Sequence, residues 1–215
     1  AAYISAPSSV AEISSSILYG IRLTANIYPN PCPQHEENTE SVEKLFDVLF
    51  LGRWQVMKGA DYVKTIRKHQ PDLKIAIACT KKPRDLPKGI PWIPVNNVKD
   101  RSHAILSSKL VLIPSLFETA SMVGLEALAT GRPIVAWSHL GICEYANNEL
   151  IFSATPGDTA DLIRKIIQAI NSLKNLDKRK FRDSVNLINS CFINGFNKSI
   201  KDAMSSYSLG YENIS

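Results

Sequence analysis

From about residue 46 the chain alternates short apolar runs with amphipathic stretches. Asp47-Val-Leu-Phe-Leu51, Leu73-Lys-Ile-Ala-Ile-Ala78, Leu110-Val-Leu-Ile113, Ile134-Val-Ala-Trp137 and Leu150-Ile-Phe152 read as buried strands. Ile90-Pro-Trp-Ile-Pro-Val95 is another extended run, kept short by its prolines. Helical spacing predicts helices over Lys58 to His69, Val98 to Lys109 and 121–130, with a short loop-helix around Cys143-Glu144-Tyr145. The alternation predicts an α/β fold, a Rossmann-like doubly wound parallel sheet with further helices at the C-terminal end. Those helices are expected over Thr159 to Leu173, 177–193 and 196–208, the last ending near Gly210. Upstream, Ala2-Tyr-Ile-Ser-Ala6 is strand-like. Ser9 and Glu12 form a capping box for a helix carrying Val10, Ile13, Ile17 and Leu18. Ala25-Asn-Ile-Tyr28 is extended and runs into the stiff Pro29-Asn-Pro31-Cys-Pro33. Residues 34–42 are polar and acidic and read as a linker or an exposed loop.

The 215 residues suffice for one substantial α/β domain, and a 45% hydrophobic content fits a globular chain. No apolar run reaches the roughly 18 residues of a membrane span. The start, without Met and with a strand under way, reads as a cut inside a larger protein. A net charge of +5 favours anionic partners such as nucleotides, anionic membrane faces or acidic glycans. Lys178-Arg179-Lys180 with Arg182 is the densest basic cluster. It reads as a solvated helix face, with peripheral membrane contact as the alternative. Nucleic acid is not an expected partner, because no basic patch interleaves with aromatics. Cys32, Cys79, Cys143 and Cys191 are scattered and read as reduced, in a cytoplasmic setting, with Cys79 and Cys191 as small buried residues. The four histidines are isolated, so no metal site is expected.

Two segments carry chemistry. Gly52-Arg53-Trp-Gln-Val-Met-Lys58-Gly59 follows the first strand of the regular series. Its glycine permits close backbone approach, and its two cations suit a diphosphate. Ser115-Leu-Phe-Glu118-Thr-Ala-Ser121-Met122-Val123-Gly124-Leu-Glu126 follows the fourth. Here a loop leads into a helix start, which offers unpaired N–H groups and partial positive charge. Glu118 and Glu126 beside such a phosphate seat suit sugar hydroxyls. In a doubly wound sheet these two strands are neighbours at the switch point, so both loops face one crevice.

Gly52-Arg53…Lys58-Gly59, Leu110 to Ser115, and Glu118…Glu126-Ala-Leu-Ala-x-Gly131-x-Pro133-Ile-Val resemble the nucleotide-sugar-binding half of retaining GT-B glycosyltransferases, the GT4-like group ("glycosyl transferases group 1"), over about residues 25–175. The resemblance implies a transferase that moves a sugar from a UDP-, GDP- or ADP-sugar to a glycan, lipid or other acceptor, with retention and without a metal or other cofactor. It implies that 1–30 is a remnant of the N-terminal acceptor domain and linker, 31–195 the donor-binding domain, and 196–215 a helix crossing back. Arg53 and Lys58, after Gly52, hold the diphosphate and stabilise the leaving group. Glu118 contacts the transferred sugar and Glu126 the ribose. Backbone groups of Ser121, Met122 and Val123 meet phosphate or sugar, and Thr80 and Val95 flank the base. Thr119 and Ser121 stand where the family usually has glycines, with Ser121 suited to N-capping or to donating its hydroxyl to phosphate. With the acceptor domain missing, this piece is expected to bind nucleotide and turn over poorly or not at all. The alternatives are a non-catalytic nucleotide-binding domain and a GT-B-fold sugar-nucleotide 2-epimerase.

Overall fold

The computed structural model describes residues 5–20, 25–33, 42–145 and 149–211. Ala2–Ile4 of the expected first strand and most of the polar linker lie outside these residues. A parallel six-stranded sheet forms the centre. Its strands are β3 (Phe46–Leu51), β4 (Ile75–Cys79), β5 (Trp92–Pro94), β6 (Ser108–Ile113), β7 (Ile134–Trp137) and β8 (Ile151–Ala154), in the spatial order β5-β4-β3-β6-β7-β8. The small pair β1 (Ser5–Ala6) and β2 (Asn26–Ile27) stands apart. Every residue of β4 and β7 is buried, as is the stretch Val48–Phe50 of β3. These strands are covered on both faces, which is why they read as unbroken apolar runs. Val48 lies between Ile75 and Leu110, so the strands expected to adjoin at the switch point do so.

The helices are α1 (Ser9–Tyr19), α2 (Ala60–His69), α3 (Val98–Leu106), α4 (Met122–Ala129), α5 (Thr159–Ser172) and α6 (Arg179–Tyr211). The sheet grows in opposite directions from β3 and β6, so right-handed crossovers carry α2 to one face and α3 and α4 to the other. Accordingly α2 packs with α5, and α4 with α6. The doubly wound Rossmann-like architecture with C-terminal helices is therefore present.

Local details depart from the sequence reading. The helices expected over 177–193 and 196–208 are one helix, α6. Gly195 does not break it; a Cβ there would stand 2.5 Å from Tyr28 Cβ, so the glycine admits Tyr28 against the helix. The N-cap of α1 is Ser8, whose Oγ accepts from the Ala11 N–H. Glu12 accepts from the Ala25 N–H instead of closing a capping box. Lys58 ends a 3-10 turn, Val56–Lys58, before α2 begins. Helix α3 stops at Leu106, because the Ser107 and Ser108 hydroxyls return to the carbonyls of Ala104 and Ile105 and Ser108 already belongs to β6. Cys79 is buried as expected, but Cys191 is exposed on α6. Cys32 is also buried, and burial pushes its thiol up to about 12.

Candidate functional site

A cavity of about 840 Å³ opens at the carboxyl edge of the sheet, where open α/β folds bind ligands. It is lined by Gly52, Arg53 and Lys58 after β3, by Thr80 and Lys81 after β4, by Val95 after β5, and by Ser115, Glu118, Ser121, Met122 and Val123 after β6. All but one of the expected site residues therefore meet on one space. The exception is Glu126, whose carboxylate is held back on α4 by Arg101; it is Arg101 that lines the cavity.

The β3–α2 and β6–α4 loops are fastened to each other. Gly59 sits at φ +85, and a Cβ on it would fall 2.1 Å from the Pro114 carbonyl oxygen, so only glycine lets the loops approach this closely. The Leu116 N–H donates to the Met57 carbonyl at 3.0 Å. Trp137 Nε1 donates to the Pro114 carbonyl at 3.0 Å, and its ring packs edge-on against Tyr62 of α2. The indole of Trp54, next to Arg53, packs edge-on against Phe50 and donates to Asp85 Oδ1 at 2.8 Å. The stretch between Gly52 and Gly59 is thus held at Trp54, Met57 and Gly59.

Charge is distributed unevenly on this frame. Lys58 Nζ lies 3.2 Å from Glu118 Oε2, which also accepts from Ser115 Oγ at 2.9 Å. Glu118 Oε1 and the Arg53 guanidinium have no hydrogen-bond or ion-pair partner among the described residues. Ser121 is the N-cap of α4, and its Oγ accepts from the Gly124 N–H. The N–H groups of Met122 and Val123 at the helix start have no acceptor among the described residues. Free backbone donors, a free guanidinium and an ammonium with two donors to spare suit an anion of phosphate type.

The Glu118 loop is also fixed from behind. Gly141 donates its N–H to the Glu118 carbonyl, and the buried Ser8 donates its hydroxyl to the Thr119 carbonyl. Glu144 accepts from the N–H and hydroxyl of Ser9 at the start of α1, and Tyr145 donates its hydroxyl to the Pro7 carbonyl. The start of α1 is thereby seated against the site.

Two functional candidates escaped the sequence reading. One is Arg101; a cation near the start of a helix, where the dipole favours anions, is a sign of a partner elsewhere. The other is Ser8, adjacent to the residue read as the cap. In the basic cluster, Arg179 pairs with Asp177 and Lys180 with Glu149. Among the described residues, no group of three or more potential metal ligands occurs and no helix is long and apolar enough to cross a membrane.

Comparison with known proteins bears on the fold and the family. A sulfoquinovosyl transferase of Arabidopsis thaliana is 30% identical over 129 residues, 55% of this chain and 25% of that protein. Sucrose-phosphate synthase from Thermosynechococcus elongatus superposes with a TM-score of 0.70 at 12% identity, over 98% of this chain and 58% of that one. Anabaena HepE in complex with UDP-glucose gives a TM-score of 0.69 at 15% identity, over 95% of this chain and 64% of the other. The chain thus spans a quarter of the curated relative and about three fifths of these two structures. The family described as "Glycosyl transferases group 1" matches residues 46–172, more than half of the chain, and the chain belongs to that family.

Proposed function

We propose that this chain is the donor-binding part of a glycosyltransferase, holding a nucleoside-diphosphate sugar while the sugar passes to an acceptor held by another domain. One observation carries the reading. Two phosphate-suited loops from adjacent strands close on a single cavity and are bridged by the Lys58–Glu118 ion pair. Arg53, Lys58 and the open N–H groups of Met122 and Val123 hold the diphosphate. Departure of the nucleoside diphosphate builds negative charge on its oxygens, and these preplaced donors stabilise that charge without reorganising. In this reading no metal ion or cofactor is needed to neutralise the leaving group. The leaving phosphate also stabilises the developing positive charge at the anomeric carbon on its own face, which retains the configuration. Glu118 contributes the free Oε1 to the hydroxyls of the transferred sugar, and Glu126 serves the ribose. Thr80 and the backbone at Val95 flank the base.

In the same reading residues 1–30 belong with an acceptor domain, 31–195 form the donor domain, and 196–215 cross back. The Asn26 amide donates to Ser199 and Asp202 on the C-terminal half of α6, which supports the last step. The acceptor is a glycan or a lipid-linked group, reached on the cytoplasmic side. UDP heads the nucleotides to test, because Anabaena HepE was solved with UDP-glucose. A thermal-shift panel of UDP, GDP, ADP and their sugars is expected to raise the melting temperature, since a ligand selective for the folded state stabilises it. If none of these compounds raises it and none binds in calorimetry, the reading fails. Full transfer activity from these 215 residues alone would overturn the division of labour between domains.

A further inference from the structure

The indole of Trp54 ties two of the cavity's loops together. Its Nε1 donates to Asp85 Oδ1 at 2.8 Å, so the loop after β3 is bonded to the loop between β4 and β5, and both residues line the cavity. Asp85 Oδ2 lies 2.5 Å from Lys64 Nζ of α2, and the same ammonium stands 5.8 Å from the centre of the indole ring. Phe50 packs edge-on against that ring at 5.4 Å. Stability does not account for the arrangement. The Asp85 side chain is 59% exposed and that of Lys64 36%, and ion pairs so open to water add little to folding. What the arrangement does fix is the peptide that carries Arg53. On the other side of Arg53 stands Gly52, whose N–H bonds the Ala78 carbonyl. Beyond that bond it has glycine's freedom, at φ +147 and with nothing within 4 Å of where a Cβ would be. The Arg53 guanidinium lines the cavity and has no partner among the described residues to aim it. A guanidinium fork needs direction as well as charge to grip two phosphate oxygens.

We infer that Trp54 and Asp85 are positioning residues, whose hydrogen bond across the two loops holds the Arg53 peptide so that the guanidinium fork meets the diphosphate. The inference rests on the donor-binding reading above. Its test titrates the best-bound of UDP, GDP and ADP, and the matching nucleoside, calorimetrically into the unaltered chain, Trp54→Phe, Asp85→Ala and Asp85→Asn. Trp54→Phe keeps an aromatic ring beside Phe50 and removes the donor. Asp85→Ala removes the acceptor. Each is expected to lower diphosphate affinity by roughly three- to tenfold, the worth of one ordinary hydrogen bond, and to leave the nucleoside unaffected. Asp85→Asn discards the same charge as Asp85→Ala but keeps an oxygen for the indole N–H, so it is expected to bind the diphosphate more tightly than Asp85→Ala. Trp54→Phe is then repeated on Arg53→Lys. A lysine is a point charge on a flexible stem and needs less aiming, so the loss is expected to shrink to under about twofold there. A role confined to the shape of the cavity wall would weaken nucleoside and diphosphate by the same factor, or cost as much beside Lys as beside Arg at position 53. Either result, or undiminished diphosphate affinity in Trp54→Phe, overturns the inference and leaves the donor-binding reading standing. Absence of nucleotide binding by the unaltered chain overturns both.

Discussion

Lys58 Nζ lies 3.2 Å from Glu118 Oε2, and this one contact spans the two loops that close the cavity. Lys58 comes from the turn after β3 and Glu118 from the loop after β6, so the pair records the adjacency of these strands. The lysine side chain is 29% exposed and that of Glu118 15%. A partly exposed pair of this kind contributes under about 1 kcal/mol to folding. Its two remaining donors face a different task once a diphosphate is present. Lys58→Met is therefore expected to unfold near the unaltered chain in urea while losing roughly ten- to hundredfold in nucleoside-diphosphate affinity. Calorimetry with a nucleoside as control separates the two. Equal loss for the nucleoside would remove Lys58 from the phosphate site.

Gly59 makes the opposite kind of contribution. A Cβ there would stand 2.1 Å from the Pro114 oxygen in a left-handed backbone conformation. Gly59→Ala is expected to destabilise the fold by roughly 2–4 kcal/mol, from backbone strain and collision together. The measurement is the urea midpoint at unchanged slope. A loss under about half a kcal/mol would mean that the loops separate easily and that their apposition is loosely held.

The sheet and its two loops were legible because fully buried parallel strands leave an unmistakable apolar signature, and because glycines and cations stood at strand ends. What was not legible lies in contacts distant along the chain. Arg101 meets Glu126 across 25 positions, and Ser8 meets Thr119 across 111. No local periodicity reports either. The break expected between 193 and 196 does not occur: glycine disfavours helices by about 1 kcal/mol, but at Gly195 packing against Tyr28 outweighs that cost. Ser8 and Ser9 are both good caps, and the choice between them was made by Thr119, which accepts from Ser8 alone.

Asp161 links stability to pH. The Thr155 N–H chiefly, opposed by burial and helped by the Arg164 guanidinium and the Thr155 hydroxyl, brings its carboxyl down to about 2. A folded value below the unfolded one, about 3.9, favours the folded state while the group is ionised in both. That contribution is complete above about pH 4 and fades as the pH falls toward 2. Asp161→Asn removes the charge and keeps one acceptor for the Thr155 N–H. The variant is expected to be about 1–2 kcal/mol less stable at pH 7, with the gap narrowing between pH 4 and pH 2. Denaturation series at several pH values read this directly. A gap independent of pH would assign the effect to packing.

Ser8 tests whether the segment before β3 takes part in the site. Its side chain is buried, its Oγ donates to the Thr119 carbonyl at 2.5 Å, and the same oxygen caps α1 through the Ala11 N–H. Ser8→Ala removes the cap and leaves the Thr119 carbonyl without that donor, a combined cost of about 1–3 kcal/mol. The functional effect follows from position. Thr119 adjoins Glu118, assigned to the transferred sugar, while Arg53 and Lys58 lie on the other loop. Loosening residues 118–120 should therefore weaken binding of a sugar nucleotide more than that of the bare nucleoside diphosphate. Calorimetric titration of both ligands, at a temperature where the variant is fully folded, gives the ratio. An unchanged ratio would mean that the Gly141 N–H holds the loop without Ser8, and the start of α1 would then serve the fold alone.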